Sequence, residues 1–256
     1  MKVVILCGGK GTRLREETEF RPKPMVKIGG KPILWHIMKI YSHFGFNDFV
    51  ICLGYKGNII SDFFKTYFST TKNIQIINKD ESTKIITNGV EKWKINLVET
   101  GENTMTGGRI SRIRKHVDNK SFFLTYGDGV SDVNIDELLK FHKSNKRLCT
   151  LTAVKPEPRF GTLMLDNNLV TNFKEKNIND VDWINGGYFV CEPSIFNYLK
   201  NDDKEVWEQN PLKELSMSKN LTAYRHHGFW KPMDTLKDSM ELDKMWTSNK
   251  AKWKLW

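Results

Sequence analysis

The chain has 256 residues, 39% of them hydrophobic and 27% charged, and its 40 basic against 30 acidic side chains leave a formal charge of +10. That length supports a full hydrophobic core, the composition excludes a disordered or fibrous protein, and no apolar run is long enough to span a bilayer. The positive charge raises the question of nucleic acid. The basic residues are spread along the whole chain, however, without a cluster interleaved with aromatics, so they read as a cationic surface that draws in small anions. A single Lys2 precedes the first apolar run and no cleavage pattern follows it, so a cytoplasmic protein with neither membrane nor nucleic-acid partner is expected. Cys7, Cys52, Cys149 and Cys191 lie far apart with no Cys-x-x-Cys pair, and read as small core residues.

The first predicted element is a strand over residues 2–7, ending in the string Leu6-Cys7-Gly8-Gly9-Lys10-Gly11-Thr12-Arg13-Leu14. A glycine turn after a buried strand can bring backbone N–H groups against phosphate oxygens, and Arg13 adds fixed positive charge. It is not a Walker A loop, because Gly11 rather than Ser or Thr follows Lys10, nor a dinucleotide fingerprint, because Leu14 stands at the third glycine. In Arg21-Pro22-Lys23-Pro24 the prolines are expected to hold the backbone extended and keep Lys23 out of a helix. The expected ligand is a triphosphate.

A helix starting at Pro32 carries Trp35, Ile37, Met38, Ile40 and Tyr41 and closes at Gly45. A strand over 48–53 turns through Gly54-Tyr55-Lys56-Gly57 into a helix whose broad apolar face holds Ile59, Ile60, Phe63, Phe64 and Tyr67. Strands are expected over 73–77 and 95–98, with the polar stretch 79–94 between them an excursion or hairpin. A strand over 121–125 then runs into Tyr126-Gly127-Asp128-Gly129. Ligands of open α/β sheets bind beyond the carboxyl ends of the strands, which makes Asp128 the first metal-ligand candidate. Asn134-Ile135-Asp136 reads as a helix start.

Beyond this point the strands shorten: 147–154, a hairpin over 161–165 and 169–173, and 188–191, opened by Asn185-Gly186-Gly187. Glu175, Lys176 and Asn185, polar groups beside close-approach glycines, can grip a sugar phosphate or be ordinary loop residues. Helical segments follow Pro193 and cover 211–217, and a late strand covers 221–225. Asp234, in Gly228-Phe229-Trp230-Lys231-Pro232-Met233-Asp234-Thr235, is either the N-cap of a last helix carrying Leu236, Met240, Leu242 and Met245 or a second metal carboxylate. Trp230, Trp246, Trp253 and Trp256 are expected to pack on the core or on another subunit. Strand-length runs alternating with amphipathic stretches give an α/β fold, a Rossmann-like mixed but mainly parallel sheet with helices on both faces and small hairpin excursions. No repeat or linker divides it, so residues 1–256 read as one domain.

These strings, in this order, resemble the sugar-phosphate nucleotidyltransferases, and among them most closely the glucose-1-phosphate cytidylyltransferases. The narrower matches are Gly30-Lys31-Pro32-Ile33-Leu34-Trp35-His36-Ile37, Met105-Thr106-Gly107-Gly108-Arg109, Thr125 to Gly129 and Gly228 to Thr235. The resemblance implies a nucleotide-diphospho-sugar transferase-like fold, with a nucleotide-binding part over about 1–130 and a sugar-phosphate and C-terminal part over about 131–256. It implies Arg13, Lys23 and Asp128 as catalytic residues. The nucleotide would meet Leu6, Cys7, Gly8, Gly9, Lys10, Gly11, Thr12, Arg13, Lys23, Thr104, Arg109 and Gly127. The sugar phosphate would meet Glu175, Lys176, Asn185 and Gly187, and Mg²⁺ would sit on Asp128 and Asp234. The family's Glu-Lys-Pro appears here as Glu175-Lys176-Asn177. CTP and glucose 1-phosphate as substrates, a homo-oligomer, and a place in cell-surface polysaccharide synthesis (O-antigen, lipopolysaccharide) are implied by the same likeness.

The chemistry agrees with the residue types. A phosphate monoester has a second pKa near 6, so the attacking group is already largely dianionic at neutral pH, and neither a protein nucleophile nor a histidine base is needed. Three alternatives stay open: another sugar 1-phosphate or UTP or dTTP, a silent sugar-nucleotide binder, and an RNA-binding protein. Arg13, Lys23, Asp128 and Asp234 argue against silence, and the lack of a basic cluster argues against RNA.

Overall fold

The computed structural model describes residues 1–68, 74–79, 82–87, 91–157, 161–175 and 181–256. Its elements begin with β1 (Lys2–Leu6), α1 (Arg15–Thr18), β2 (Lys27–Ile28), β3 (Lys31–Pro32), α2 (Ile33–His43), β4 (Asp48–Leu53) and α3 (Gly57–Phe68). They continue with β5 (Ile74–Lys79), β6 (Ser82–Thr87), β7 (Lys94–Glu99), α4 (Thr106–Arg112), β8 (Phe122–Tyr126), β9 (Gly129–Ser131) and α5 (Ile135–Asn145). The remainder comprises β10 (Cys149–Val154), β11 (Thr162–Asp166), β12 (Leu169–Lys174), β13 (Ile184–Cys191), α6 (Asn210–Met217), β14 (Leu221–Arg225), β15 (Trp230–Pro232) and α7 (Leu236–Thr247).

Val3 and Ile5 of β1 belong to one hydrophobic cluster and Val4 and Leu6 to another. Side chains alternate across a strand, so two apolar faces require a sheet covered on both sides. That sheet has nine strands in the order β14-β10-β13-β8-β1-β4-β7-β6-β5. Strand β1 pairs in parallel with β4 and β8, β4 with β7, and β10 with β14. Only β13 and β6 run against the other strands of this sheet. Helices α2 and α3 cover the first face through Ile37, Ile40, Ile60 and Phe64, while Ile110 of α4 and Leu215 of α6 cover the second.

Most elements fall where periodicity puts them, and the departures have local causes. The expected polar excursion contains β6, an antiparallel strand between β5 and β7. Helix α4 was not foreseen, because Gly107 and Gly108 lower helix propensity in a short segment. Lys23 is not extended: Pro22 is, at φ −67° and ψ 148°, but Lys23–Met25 forms one 3₁₀ turn, closed by Met25 N–H to the Pro22 carbonyl at 2.8 Å. Proline at the start of such a turn loses no hydrogen bond, so Pro24 fits it. Nor is Asp234 an N-cap. Thr235 caps α7 in a capping box with Asp238, leaving the Asp234 carboxylate free for other partners.

The first face is closed by the C-terminal tryptophans around His36. Trp253 is fully buried, and the Trp246 ring meets the His36 ring edge-on at 4.6 Å. His36 Nε2 lies 2.8 Å from the Ile28 carbonyl, and the Trp253 indole N–H donates to His36 Nδ1 at 3.3 Å. This pattern fits a neutral ring carrying its proton on Nε2, and a second proton on Nδ1 would face the indole donor. Burial lowers the His36 pKa to about 4, with the backbone hydrogen bonds to Ile28 and Lys31 opposing it only in part. The folded pKa thus lies below the unfolded value near 6.5, so stability is complete above about pH 6.5 and falls as the pH drops toward 4. Urea unfolding of the wild type is expected to lose about 2 kcal/mol between pH 7 and pH 5 from this group. His36→Gln should lose correspondingly less over the same interval, and equal losses would remove His36 as the cause.

Candidate active site at the carboxyl ends of the central strands

The glycine turn is shaped by what lies against it. Gly11 has φ +63°, and a side chain there would also stand 2.8 Å from Thr18 Cγ2. A Cβ on Gly8 would lie 2.1 Å from Arg109 Nη1. Arg109, on α4, is buried, and its guanidinium gathers the ends of three strands. Nη1 donates to the Leu53 carbonyl at 2.9 Å, Thr100 Oγ1 at 2.8 Å and the Gly101 carbonyl at 2.7 Å, and Nη2 to the Gly8 carbonyl at 2.8 Å. Among the described residues no carboxylate pairs with it, so this cation is held by neutral oxygens, and burial lowers its pKa. Arg109 therefore fixes the turn from beneath, besides bordering the cavity above it.

Strands β1 and β8 are parallel neighbours, so their following loops emerge side by side, and Gly127 N–H donates to the Leu6 carbonyl at 3.0 Å. Asp128 comes next. Its carbonyl accepts from Met233 N–H at 2.8 Å, and β9 pairs with β15 with Gly129 opposite Pro232. This short ribbon carries Asp234 to Asp128. The Lys23 ammonium joins them, 2.8 Å from Asp128 Oδ2 and 2.6 Å from Asp234 Oδ1, while Arg13 Nη1 reaches Asp234 Oδ2 at 2.9 Å. Lys23 is only 7% exposed. Burial alone pushes its pKa down, but the two carboxylates more than offset this and hold it above the ordinary lysine value.

The turn, Lys23, Asp128 and Asp234 border one cavity of about 550 Å³. All the residues expected at the nucleotide border it except Lys10, whose side chain is exposed at the tip of the turn. Thr104 is among them, its hydroxyl held between Asp203 Oδ1 at 3.0 Å and Arg112 Nη1 at 2.7 Å. Of the residues expected at the sugar phosphate, Asn185 and Gly187 border the cavity. Glu175 does not, being exposed just past the β11–β12 hairpin, which forms a separate two-stranded sheet. Lys176 and Asn177 lie outside the described residues. The sequence reading missed Tyr126, Thr106, Glu208 and Trp230 as wall residues. Tyr126, Thr106 and Trp230 stand inside motifs that carry the resemblance, whereas Glu208 lies in an irregular stretch with no signal of its own.

Asp128 and Asp234 are the two carboxylates that could hold a cation beside the glycine turn. Among the described residues no group of three or more His, Cys, Asp and Glu side chains has metal-site geometry. Two hard carboxylates within reach of one ammonium suit Mg²⁺, which takes one or two protein carboxylates and completes its shell with water and substrate phosphates. The four cysteines are free and buried, and burial raises the Cys7 thiol pKa and takes that of Cys52 up to about 12, so neither is a ready nucleophile.

The chain is 48% identical to a glucose-1-phosphate cytidylyltransferase of Salmonella typhi and 42% identical to a probable glucose-1-phosphate cytidylyltransferase of Bacillus subtilis (strain 168), each over the full length of both chains. Its fold matches HddC from Yersinia pseudotuberculosis complexed with GMP-PN, with TM-score 0.68 and 23% identity over 96% of this chain and 99% of that one. It also matches the inositol-1-phosphate CTP transferase from T. maritima, with TM-score 0.66 and 15% identity over 98% and 96% of the two chains. Residues 2–245 match the family model described as nucleotidyl transferase, and the chain belongs to that family.

Proposed function

We propose that the protein transfers the cytidylyl group of CTP to α-D-glucose 1-phosphate, giving CDP-glucose and pyrophosphate. The observation that carries this reading is the meeting of Asp128 and Asp234 on the Lys23 ammonium beside the glycine turn. The choice of CTP and glucose 1-phosphate rests on the full-length likeness to the Salmonella typhi and Bacillus subtilis proteins.

In this reading the backbone N–H groups of the glycine turn and the Arg13 and Lys23 cations bind the triphosphate. A dianionic phosphate oxygen of the sugar attacks the α-phosphorus. The new P–O bond forms as the bond to pyrophosphate breaks, and the electron pair leaves with pyrophosphate. No proton has to be removed, and among the described residues no histidine borders the cavity. Positioning and charge stabilisation are then the protein's whole task. Asp128 and Asp234 would hold Mg²⁺, which when bound supplies positive charge between the two phosphates.

Assembly of copies of this chain is supported by the hairpin β11–β12, on which Leu163, Leu165, Leu169 and Phe173 are all more than half exposed. The single-domain reading is supported by the central sheet, which draws strands from both parts of the chain. A cytoplasmic setting is supported by the substrates, polyanions that do not cross a bilayer unaided. Among the described residues no helix is long and apolar enough to cross a membrane.

Pyrophosphate release, measured across four nucleoside triphosphates and a panel of sugar 1-phosphates with and without Mg²⁺, should be greatest with CTP and glucose 1-phosphate and should require the metal. No release from any combination would favour a binding protein. Asp128→Asn should lower kcat/KM by about 10²–10³-fold while the circular dichroism spectrum stays unchanged. Arg13 is largely exposed, so Arg13→Ala should leave stability within about 0.5 kcal/mol of wild type. It should slow the single-turnover rate, and an unchanged rate would remove Arg13 from the chemical step.

A further inference from the structure

Close to Asp128 the cavity wall holds another carboxylate, and among the described residues no cation pairs with this one. Glu208, exposed in the irregular stretch before α6, borders the cavity. The Tyr126 hydroxyl donates to Glu208 Oε1, and the Thr106 hydroxyl donates to Oε2 at 2.7 Å. Both donors are themselves oriented. Thr106 Oγ1 accepts from Trp207 N–H at 2.9 Å, and the Tyr126 oxygen accepts from Asn185 Nδ2 at 3.2 Å. Asn185 Oδ1 in turn accepts from Gly187 N–H at 2.8 Å. Gly187 has φ +81°, and a Cβ there would stand 2.5 Å from the Tyr126 ring, so the glycine makes room for the phenol.

Each hydrogen bond in this network runs toward Glu208, which is its terminal acceptor. A carboxylate has about four lone-pair sites and two are used, so acceptor capacity remains on a group that borders the cavity. An unpaired carboxylate repels phosphate, but it is a strong acceptor for neutral hydroxyls. Both sugars of the proposed reaction carry hydroxyls. The position in the sheet weighs toward the hexose: Asn185 and Gly187 come from β13, on the side of β8 away from β1, which carries the glycine turn, while Thr106 holds the other Glu208 oxygen from α4, the helix of Arg109. With the triphosphate over that turn, the β13 side is left to the acceptor.

We infer that Glu208, oriented by Tyr126 and Thr106, accepts hydrogen bonds from ring hydroxyls of the acceptor hexose and so helps select it, an inference that rests on the proposed reaction. The test is steady-state kinetics of wild type, Glu208→Gln and Tyr126→Phe with glucose 1-phosphate and its 2-, 3-, 4- and 6-deoxy analogues, with CTP varied separately. Glu208→Gln keeps the side chain's shape. It should raise KM for glucose 1-phosphate about tenfold or more, since a hydrogen bond to a charged acceptor is weakened. KM for CTP should stay within twofold of wild type, which also reports an intact fold. With at least one deoxy analogue the two enzymes should have KM values within twofold of each other, because the hydroxyl that Glu208 reads is missing. Tyr126→Phe should raise KM for glucose 1-phosphate in the same direction by less. An unchanged KM for glucose 1-phosphate in Glu208→Gln, an equal rise in KM for CTP, or the same mutant-to-wild-type ratio with every analogue overturns the assignment of Glu208 alone. Absence of turnover by the wild type with any sugar 1-phosphate overturns the proposed reaction and this inference together.

Discussion

The contact of the Lys23 ammonium with two carboxylates is the constraint around which the site is built. A buried lysine is costly unless paired, because burial pushes it toward its neutral form. Asp128 and Asp234 together reverse that tendency, holding Lys23 charged in a wall where it is nearly inaccessible. Three distant parts of the chain have to meet for this. Lys23 comes from a proline-bracketed turn, Asp128 from the end of β8, and Asp234 from the end of β15. The β9–β15 ribbon is only three residues long on each strand, but it places Asp234 within reach of the same ammonium. The capping box at Thr235 is part of the same arrangement. Were Asp234 the cap, its oxygens would turn to the first amides of α7.

Arg109 is the complementary case. It too is a buried cation, but its partners are carbonyls and a hydroxyl that end strands or form turns. A guanidinium presents five N–H donors in a rigid fork, so one side chain fixes the relative positions of Leu53, Gly101 and Gly8 as a lysine could not. Gly8 and Gly54 have no Cβ, and the guanidinium occupies that space. The glycines of the turn thus serve two ends. They let ligand approach from above, and they let Arg109 approach from below.

Much of this was legible in the sequence wherever a signal is local. The apolar run before Gly8 reads as a buried strand, which β1 is, and the rule that ligands bind beyond the carboxyl ends of strands puts Asp128 at the same sheet edge as the glycine turn, where the parallel pairing of β1 and β8 brings it. What stayed hidden depends on contacts between segments far apart in the chain. Nothing near Asp234 says whether it or Thr235 caps the helix, since both are good N-cap residues. Nothing near Glu208 announces a cavity. It is carried there by Met105 N–H donating to the Asp203 carbonyl at 2.7 Å and Gly108 N–H to the Glu205 carbonyl at 3.2 Å, a docking of the start of α4 on an irregular stretch with no periodicity to read. Lys10 and Glu175 are expected at the ligands but do not border the cavity. Each lies beside residues that border the cavity or match a motif, but sequence adjacency does not fix where an exposed side chain ends up.

The charges at the junction give the proposed divalent ion a task although the site already holds two cations. Lys23 and Arg13 are matched by Asp128 and Asp234, so the four side chains sum to zero before any substrate arrives. The two phosphate-bearing substrates of the proposed reaction would then bring several negative charges into a partly enclosed cavity, where weak screening raises their repulsion. Lys23 has one N–H donor and Arg13 four beyond those spent on the carboxylates, so phosphate oxygens can share these cations, but the shared charge is already balanced by Asp128 and Asp234. The divalent cation proposed on those two carboxylates would add the missing positive charge. Lys23 bridges Asp128 and Asp234, so one ammonium fixes the two carboxylates relative to each other, and a group held in place by such a contact needs little reorganisation to act.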